Sequence, residues 1–599
     1  MSCLRRARLV SHLRAVPTLQ PLRLHSSPRS IGVFSHSSSI ATATRCLPRR
    51  TVSAMAHTPS DNDLFEYTSG RWLVNDNLRH AERRRVFNVD ALRRLAAESV
   101  NRSPDDIESL RKLAEGGFNR VFLITMRDGF RMVARIPYPS TVPKYFAVAS
   151  EAATLAFLHS FGVPTPEVYG YSPTPDNAAG TEYIFMQYIE GVSLGDVLSD
   201  LEEGNIISIL RQLAELESSI QRLVFKAGGS LYFAEDLANV AGSPSGLTKP
   251  VVALQDMPRF CIGPETSLPL WFGQRSQLDV DRGPYATIEE ALVRGAEKEQ
   301  AYLRRFGRPL LPFQPARREA YGYQKQQPSD HIENLDRYLR IAPSLVSRDK
   351  RFDYFCIRHP DLQPNNILVS RSPDSNSYAI VGIIDWQHTS ILPLSLHAGI
   401  PKWLQNNDGT GWQAEMPPSL PENLSDMDKI QRERELELYR RRFLHYYYAE
   451  HTRKYNIFHW VVLAEAVGSL RRRLFRHSRD PWEGETIQLK LALVQAIEHW
   501  EALAGEGVPC PIAFDPDDAR ETIKLAALQR EADDLLEVAR DKIGTVGSED
   551  WVPAEHYEEV VARSKKLKEH TLSELEDDEE RAQVAANWPF DDKDEEDYM

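Results

Sequence analysis

Apolar positions recur with a strand period between residues 120 and 190 and with a helical period beyond residue 427. Residues 121–124 and 130–136 alternate in character around Arg127, Asp128 and Gly129, which predicts a β-hairpin. A helical segment around 91–98 precedes it. Ala152, Leu155, Ala156 and Leu158 make one apolar stripe, predicting a helix over 151–161 that Gly162 ends, with Glu151 in its first turn. Residues 163–171 and 182–188 read as two further strands, and 201–225 as an amphipathic helix with Ile209, Leu213, Leu216, Ile220 and Leu223 on one face. Helical patterns return at 288–306 and 331–345. The β-branched runs 367–369 and 378–384 flank a polar turn, and long helices follow over about 427–455, 458–477, 482–504 and 516–542.

The hairpin at 367–384 gathers the most informative chemistry. Antiparallel pairing sets the start of its first arm beside the end of its second, bringing Asn366 next to Asp385. Asp361 lies on an irregular loop just ahead of Asn366, so three oxygen-bearing side chains converge. Phosphoryl transfer needs such a set, because Mg²⁺ takes hard oxygen ligands and an acceptor hydroxyl needs a carboxylate to orient it and take its proton. Near the first hairpin, Gly116 and Gly117 with Asn119 form a tight turn between strands whose N–H groups could lie over phosphates; a plain turn is the competing reading. Arg135 closes the run Val133-Ala134-Arg135, either as a phosphate-binding cation or as an edge-strand charge.

The spacing of His359, Asp361, Asn366 and Asp385, with Pro360, Leu362, Pro364 and the pair Asp385-Trp386, resembles the catalytic and metal-binding loops of the kinase-like fold, most closely the aminoglycoside phosphotransferase and choline kinase branch. The resemblance implies an α+β, bilobal protein-kinase-like fold with a β-rich amino-terminal lobe and a larger helical carboxyl-terminal lobe. It implies ATP and Mg²⁺ as cofactors, Asp361 as catalytic base, His359 as its brace, and Asn366 and Asp385 as metal ligands. Gly116, Gly117, Asn119, Arg135 and Glu151 would serve the nucleotide, Glu151 by pairing with Arg135, and residues 186–194 would link the lobes beside the adenine. Arg135 stands where most relatives carry Lys, and Pro360 replaces the Arg that senses activation-loop phosphorylation in protein kinases. Regulation of that kind is therefore not expected, and a small-molecule acceptor is favoured over a protein. Over the whole chain the resemblance is closest to a fungal group, the altered inheritance of mitochondria 9 proteins. The basic leader, Arg135, the long insertion and the run from Asp385 through Gln387, His388 and Thr389 to Pro401 carry it.

The implied organisation is a presequence at 1–55, a nucleotide-binding lobe at 85–190, a linker, helix and insertion at 191–350, a catalytic and helical lobe at 351–545, and an acidic tail at 546–599 that is partly helical or disordered. The insertion, about 130 residues before Arg358, is a candidate place for the acceptor pocket. At 599 residues one core does not suffice. A formal charge of -13 argues against a nucleic-acid partner, and the Arg440–442 and Tyr446–448 clusters read better as one solvated and one packed helix face. No run approaches the ~20 apolar residues of a transmembrane helix. The first sixty residues carry nine Arg and no Lys, Asp or Glu, with abundant Ser, which is the composition of a mitochondrial presequence; a disordered basic tail is the alternative. Five scattered Cys suggest neither disulfides nor zinc, and Cys356 reads as a packed small hydrophobe.

Two functions fit. One is an ATP- and Mg²⁺-dependent phosphotransferase acting on a hydroxyl of a small molecule in mitochondria. The other is a weakly active or inactive nucleotide-binding factor in mitochondrial maintenance or inheritance. Transfer of AMP is a third option on the same fold.

Overall fold

The computed structural model describes residues 64–240, 249–372, 377–406 and 416–599. The presequence expected at 1–55 lies outside them.

Strand alternation builds the amino-terminal lobe. Phe122, Ile124 and Met126 on Asn119–Met126 and Met132, Ala134 and Ile136 on Arg131–Pro137 point to one face, where Leu92, Ala96 and Ala97 of helix Val89–Ser99 cover them. The opposite face carries Val133, Arg135, Ile184 and Met186 and packs on helix Lys144–Ser160. The antiparallel sheet has five strands in the order Ile107–Glu115, Asn119–Met126, Arg131–Pro137, Tyr183–Gln187, Val168–Ser172. Its first strand is invisible to apolar periodicity because Glu108, Arg111 and Lys112 interrupt the pattern.

The predicted catalytic hairpin forms from Ile367–Arg371 and Tyr378–Ile383, with Ile367 opposite Ile383. Val192–Ser193, just past the interlobe linker, pairs with the same strand through Leu368↔Ser193, so the linker is stitched directly to the catalytic hairpin. Below lie helices Glu203–Gln221, Lys429–Tyr455, Gly468–Arg479, Ile487–Glu498 and Pro516–Ile543. One apolar core runs from Leu155 and Leu158 in the upper lobe through Leu210, Leu213, Ile367 and Trp386 to Leu474 and Leu493. The molecule is thus α+β and bilobal, with a β-rich upper lobe and a larger helical lower lobe, as a kinase-like fold requires.

Several boundaries differ from expectation. The helix predicted over 151–161 begins at Lys144, after Pro143, so Glu151 sits mid-helix and not in the first turn; its buried carboxylate serves Arg135 instead of capping the helix. The aromatic and β-branched residues of 144–150 hide that early start. The segment 458–477 is two helices, Ile457–Ala464 and Gly468–Arg479, because Glu465 turns aside to bind Arg471 at 2.5 Å. Likewise 482–504 divides into Ile487–Glu498 and Trp500–Ala504, and Val224–Phe225 leaves the helix predicted over 201–225 to become a strand beside Phe355–Ile357.

The insertion is ordered around the sheet Val252–Ala253, Phe260–Gly263, Ser230–Phe233 and helices Ile288–Phe306 and Pro328–Ile341. Its centre is ionic. Fully buried Glu299 accepts two hydrogen bonds from Arg275, at 2.7 and 2.6 Å, one from Lys298 at 2.7 Å and one from Trp482 N–H at 2.7 Å. The acidic tail packs back on the body. Trp551–Pro553 pairs antiparallel with Gly70–Trp72, Asp592 accepts from Asn75 N–H at 2.6 Å, and the Tyr598 hydroxyl donates to Leu311 O at 2.9 Å. No helix of the described residues is long and apolar enough to cross a membrane. Cys356 is buried, and burial pushes its thiol up to about 12.

Glu299→Gln leaves Arg275 and Lys298 buried without a countercharge and is expected to cost ~3–5 kcal/mol. A drop in the urea midpoint of unfolding by that equivalent, with the folded far-UV spectrum retained, checks it.

Candidate active site

Strand Phe355–Ile357, held between Ile391–Pro393 and Val224–Phe225, delivers Arg358 and His359 into the cleft. Arg358 is fixed first. Its Nη2 donates to Gly399 O at 2.5 Å and its Nε lies 3.2 Å from Glu217, whose other oxygen accepts from the Tyr448 hydroxyl at 2.7 Å. His359 then acts as a two-ended brace. Its Nε2 donates to Ile384 O at 2.9 Å, its Nδ1 accepts from Asp361 N–H at 3.1 Å, and its ring meets Trp386 edge-on at 4.6 Å. Burial pulls the ring down to about 4, which keeps it neutral with the proton on Nε2.

Asn366 closes the circuit. Its amide donates to Asp361 O at 2.9 Å, and Ile384 N–H donates to its backbone oxygen at 3.0 Å. Asp361, Asn366 and the residue preceding Asp385 are therefore joined by short polar links. The Asp361 carboxylate accepts from Gln363 Nε2 at 2.8 Å and remains exposed on one side. Loss of water contact raises it to about 6, helped by the negative charge of Asp385 and opposed by Lys402. Asp385 adopts a left-handed backbone, φ 66°, a conformation Asp tolerates through its short polar side chain and one that marks a constrained site.

On the upper lobe Arg135 reaches across the cleft. Its Nη2 donates to Asp385 Oδ1 at 2.6 Å and to Gln387 Oε1 at 3.0 Å, while Nε lies 3.2 Å from Glu151. Burial opposes ionisation of Asp385, but the Arg135 guanidinium outweighs it and holds that carboxyl below the usual range. Glu151 goes the other way: burial pushes it up to about 7 against the pull of Arg135. The difference follows geometry, since Arg135 aims its well-aligned donor at Asp385 and not at Glu151. The glycine turn is closed by Gly116 N–H on Asn119 O at 2.9 Å, and Asn119 Nδ2 donates to Gln387 Oε1 at 2.6 Å. Gly116 and Gly117 enter the site only through that neighbour. Phe118, between them and Asn119, stands edge-on to His388 at 5.4 Å.

Gln387 and Lys402 are the residues sequence reasoning left unassigned. Gln387 had one signal, an amide two residues past the metal-type Asp. Lys402 had none, because its approach to Asp361 depends on the hydrogen bond from Trp403 Nε1 to Leu362 O at 3.0 Å.

The residues present suit Mg²⁺ and nucleotide phosphates. Asn366 offers an amide oxygen and Asp385 a carboxylate, two hard oxygen donors of the kind Mg²⁺ takes while keeping water and phosphate oxygens as its other ligands. Among the described residues no cluster of three or more His, Cys, Asp or Glu offers a denser cation cage. A cavity of about 720 Å³ lies beside the interlobe linker, lined by Arg131, Thr165, Tyr169, Tyr188, Glu190 and Val381, and it contains none of these site residues.

The family model described as phosphotransferase enzyme family matches residues 109–395, which span the five-stranded sheet, the interlobe linker and the loop through Asp385. A subtelomeric hrmA-associated cluster protein of Aspergillus fumigatus is 29% identical over 82% of this chain and 98% of its own length. The altered inheritance of mitochondria protein 9 of Yarrowia lipolytica is 27% identical over 62% of this chain and 66% of its own. The expected nearness to the latter group is thus corrected to a low-identity relation shared with the former. Among solved structures, a putative aminoglycoside phosphotransferase from Ralstonia eutropha aligns over 76% of this chain and 99% of its own, with 11% identity and a TM-score of 0.30. Over residues 109–395 the chain is similar to the phosphotransferase enzyme family, and it is related at low identity to both the hrmA-associated cluster proteins and the altered inheritance of mitochondria 9 proteins.

Proposed function

We propose that the protein is an ATP- and Mg²⁺-dependent phosphotransferase that phosphorylates a hydroxyl group of a small molecule in mitochondria. The observation that carries this reading is the hydrogen-bonded circuit of His359, Asp361, Asn366 and Ile384, which sets a raised, exposed carboxylate beside the ionised Asp385. When bound, ATP supplies the phosphoryl group and Mg²⁺ offsets its charge. Asn366 and Asp385 would hold the metal, and Arg135 would meet phosphate oxygens with its guanidinium fork. Asp361 would orient the acceptor hydroxyl and take its proton on a carboxylate oxygen as the new O–P bond forms and the bond to the departing ADP oxygen breaks. His359 positions that carboxylate through the Asp361 backbone and stays neutral throughout. The mitochondrial address rests on the basic leader at 1–55, outside the described residues, and on the names of the weaker relatives.

A second reading, a nucleotide-binding factor without turnover, is favoured by one observation: Arg135 spends its best-aligned donor on Asp385, so a phosphate must compete for it. The two readings separate experimentally. ATP with Mg²⁺ is expected to raise the melting temperature of the full chain, and Asp385→Ala to lose the metal-dependent part of that rise. Asp361→Ala should keep nucleotide binding but lower phosphorylated product, read by mass shift in a mitochondrial metabolite pool, by about 10²–10⁴-fold. Product formation unaffected by Asp361→Ala sinks the phosphotransferase reading.

The pH dependence follows from the same carboxylate. A base must be ionised, so the acceptor-dependent rate should fall as pH drops through about 6, the value to which Asp361 is raised. Lys402 favours the ionised form, so Lys402→Gln should move that acid limb to higher pH. Deleting residues 1–55 from a fluorescent fusion is expected to abolish mitochondrial import; unchanged import removes the proposed address.

A further inference from the structure

Helix Gly468–Arg479 carries five arginines that divide into two kinds. Arg471 and Arg479 point inward and are neutralised, Arg471 by Glu465 at 2.5 Å and Arg479 by Glu265 at 2.6 Å. Arg472 donates to Val462 O at 3.3 Å. Arg473 and Arg476, three residues apart and so on one face, have neither an ion pair nor a side-chain hydrogen bond among the described residues. In a chain with a formal charge of -13, where the neighbouring buried arginines each have a carboxylate, two adjacent cations without one are conspicuous.

Their position gives them meaning. The helix packs on Leu394–His397, which leads through Pro401 into the turn Lys402–Leu404, and that turn is pinned to the catalytic loop by Trp403 Nε1 on Leu362 O at 3.0 Å. Lys402, also without a side-chain hydrogen bond or ion pair among the described residues, lies within electrostatic reach of both Asp361 and Arg476. Partial burial disfavours its charge and Arg476 repels it, while Asp361 attracts it. Burial and Arg476 weaken the charge of Arg473 in the same way. Arg476 thus repels both Lys402 and Arg473, and an anion placed among the three relieves that repulsion.

We infer that Lys402, Arg473 and Arg476 form the acceptor subsite, and that the acceptor is an anionic hydroxyl compound, one bearing a phosphate or carboxylate group, whose charge sits on this basic lip while its hydroxyl faces Asp361. The acceptor role rests on the phosphotransferase reading; the anion subsite itself does not. Guanidinium groups match phosphate and carboxylate oxygens in paired hydrogen bonds, and Lys402 adds a point charge between them and the reacting end. A neutral sugar or a cationic acceptor would leave the three charges unrelieved.

The test uses a matched pair of probes, ribose 5-phosphate and ribose, with inorganic phosphate as a third, titrated into the full chain by calorimetry after saturation with Mg²⁺ and AMP-PNP. Ribose 5-phosphate and phosphate are expected to bind and ribose not to. Arg473→Gln/Arg476→Gln should weaken anion binding at least tenfold. The exposed single substitution Arg476→Glu is a second variant in case the double one unfolds, and it should weaken anion binding at least as much. Equal anion binding by these variants and wild type, or ribose binding as tightly as ribose 5-phosphate, overturns the subsite. Failure of AMP-PNP to bind while the anion response persists counts against the phosphotransferase reading and spares the subsite; normal AMP-PNP binding with no anion response does the reverse. In the acceptor screen, product should arise from the metabolite fraction retained on an anion exchanger. Product arising from the unretained fraction overturns the inference.

Discussion

One guanidinium ties the two lobes together. Arg135 starts on a strand of the upper sheet and ends on Asp385 and Gln387 in the lower lobe, with Glu151 behind it. A cation buried at this depth survives only because carboxylates surround it, and the two carboxylates are not equivalent. Asp385 receives the short, aligned bond and stays ionised, whereas Glu151 is left with the looser contact and is pushed up to about 7. The upper lobe therefore sends its charge downward, and the cleft is closed by the group that phosphate oxygens would otherwise engage. Lys in the same place could not hold three acceptors in one plane, since its ammonium is a point charge on a flexible stem. Arg135 is thus suited to bridging as well as to binding, and Gln387 extends the bridge to Asn119 beside the glycine turn.

The lower half of the site is built on backbone links instead of charge. His359 is neutral, and its two ring nitrogens do different work, one accepting from Asp361 N–H and the other donating to Ile384 O. The brace fixes main-chain positions on both sides of the hairpin while leaving the Asp361 carboxylate free to titrate. A charged imidazolium would lose the acceptor at Nδ1, so the burial that pulls His359 down to about 4 preserves the geometry. Asp361 is raised by the same loss of water and by the same Asp385 that Arg135 keeps ionised. The two carboxylates are consequently set apart in acidity by one neighbour, Arg135, that touches only one of them.

Much of this was legible in the residue pattern, and the reasons differ from element to element. The hairpin that joins Asn366 to Asp385 could be read because β-branched alternation and a polar turn are local signals, and its register follows from them. Helix 288–306 could be read from its helical period, and in the fold Thr287 caps it by accepting from Glu290 N–H at 3.2 Å. The start of the helix bearing Glu151 could not, since Tyr145, Phe146 and Val148 give its first two turns a strand-like character. Nor could the break between Ala464 and Gly468, which depends on a contact between Glu465 and Arg471 that exists only once the helices turn. Gln387 and Lys402 escaped for a related reason. Each acts through partners far away in the chain, Asn119 and Arg135 for one and Asp361 for the other, and no spacing within a segment records such a meeting.

The same distinction separates what the fold explains from what it leaves to the insertion and tail. A kinase-like fold accounts for the sheet, the linker and the catalytic hairpin, but not for a buried salt cluster around Glu299 or for a tail that returns to bind Asn75. Ser230 donates to Thr389 O at 2.6 Å and His388 to Thr266 O at 2.9 Å, so the insertion grips the segment directly after Asp385. Because Asp385, Gln387 and His388 belong to one short stretch, and two of these residues have left-handed backbones, any slack in the insertion would be felt at Arg135. The buried charges of the insertion are strong only in a rigid frame, where every donor keeps its acceptor. Rigidity there holds the stretch from Asp385 to Thr389 in its strained course, and that course lets one carboxylate face both a cation above and a metal site beside it.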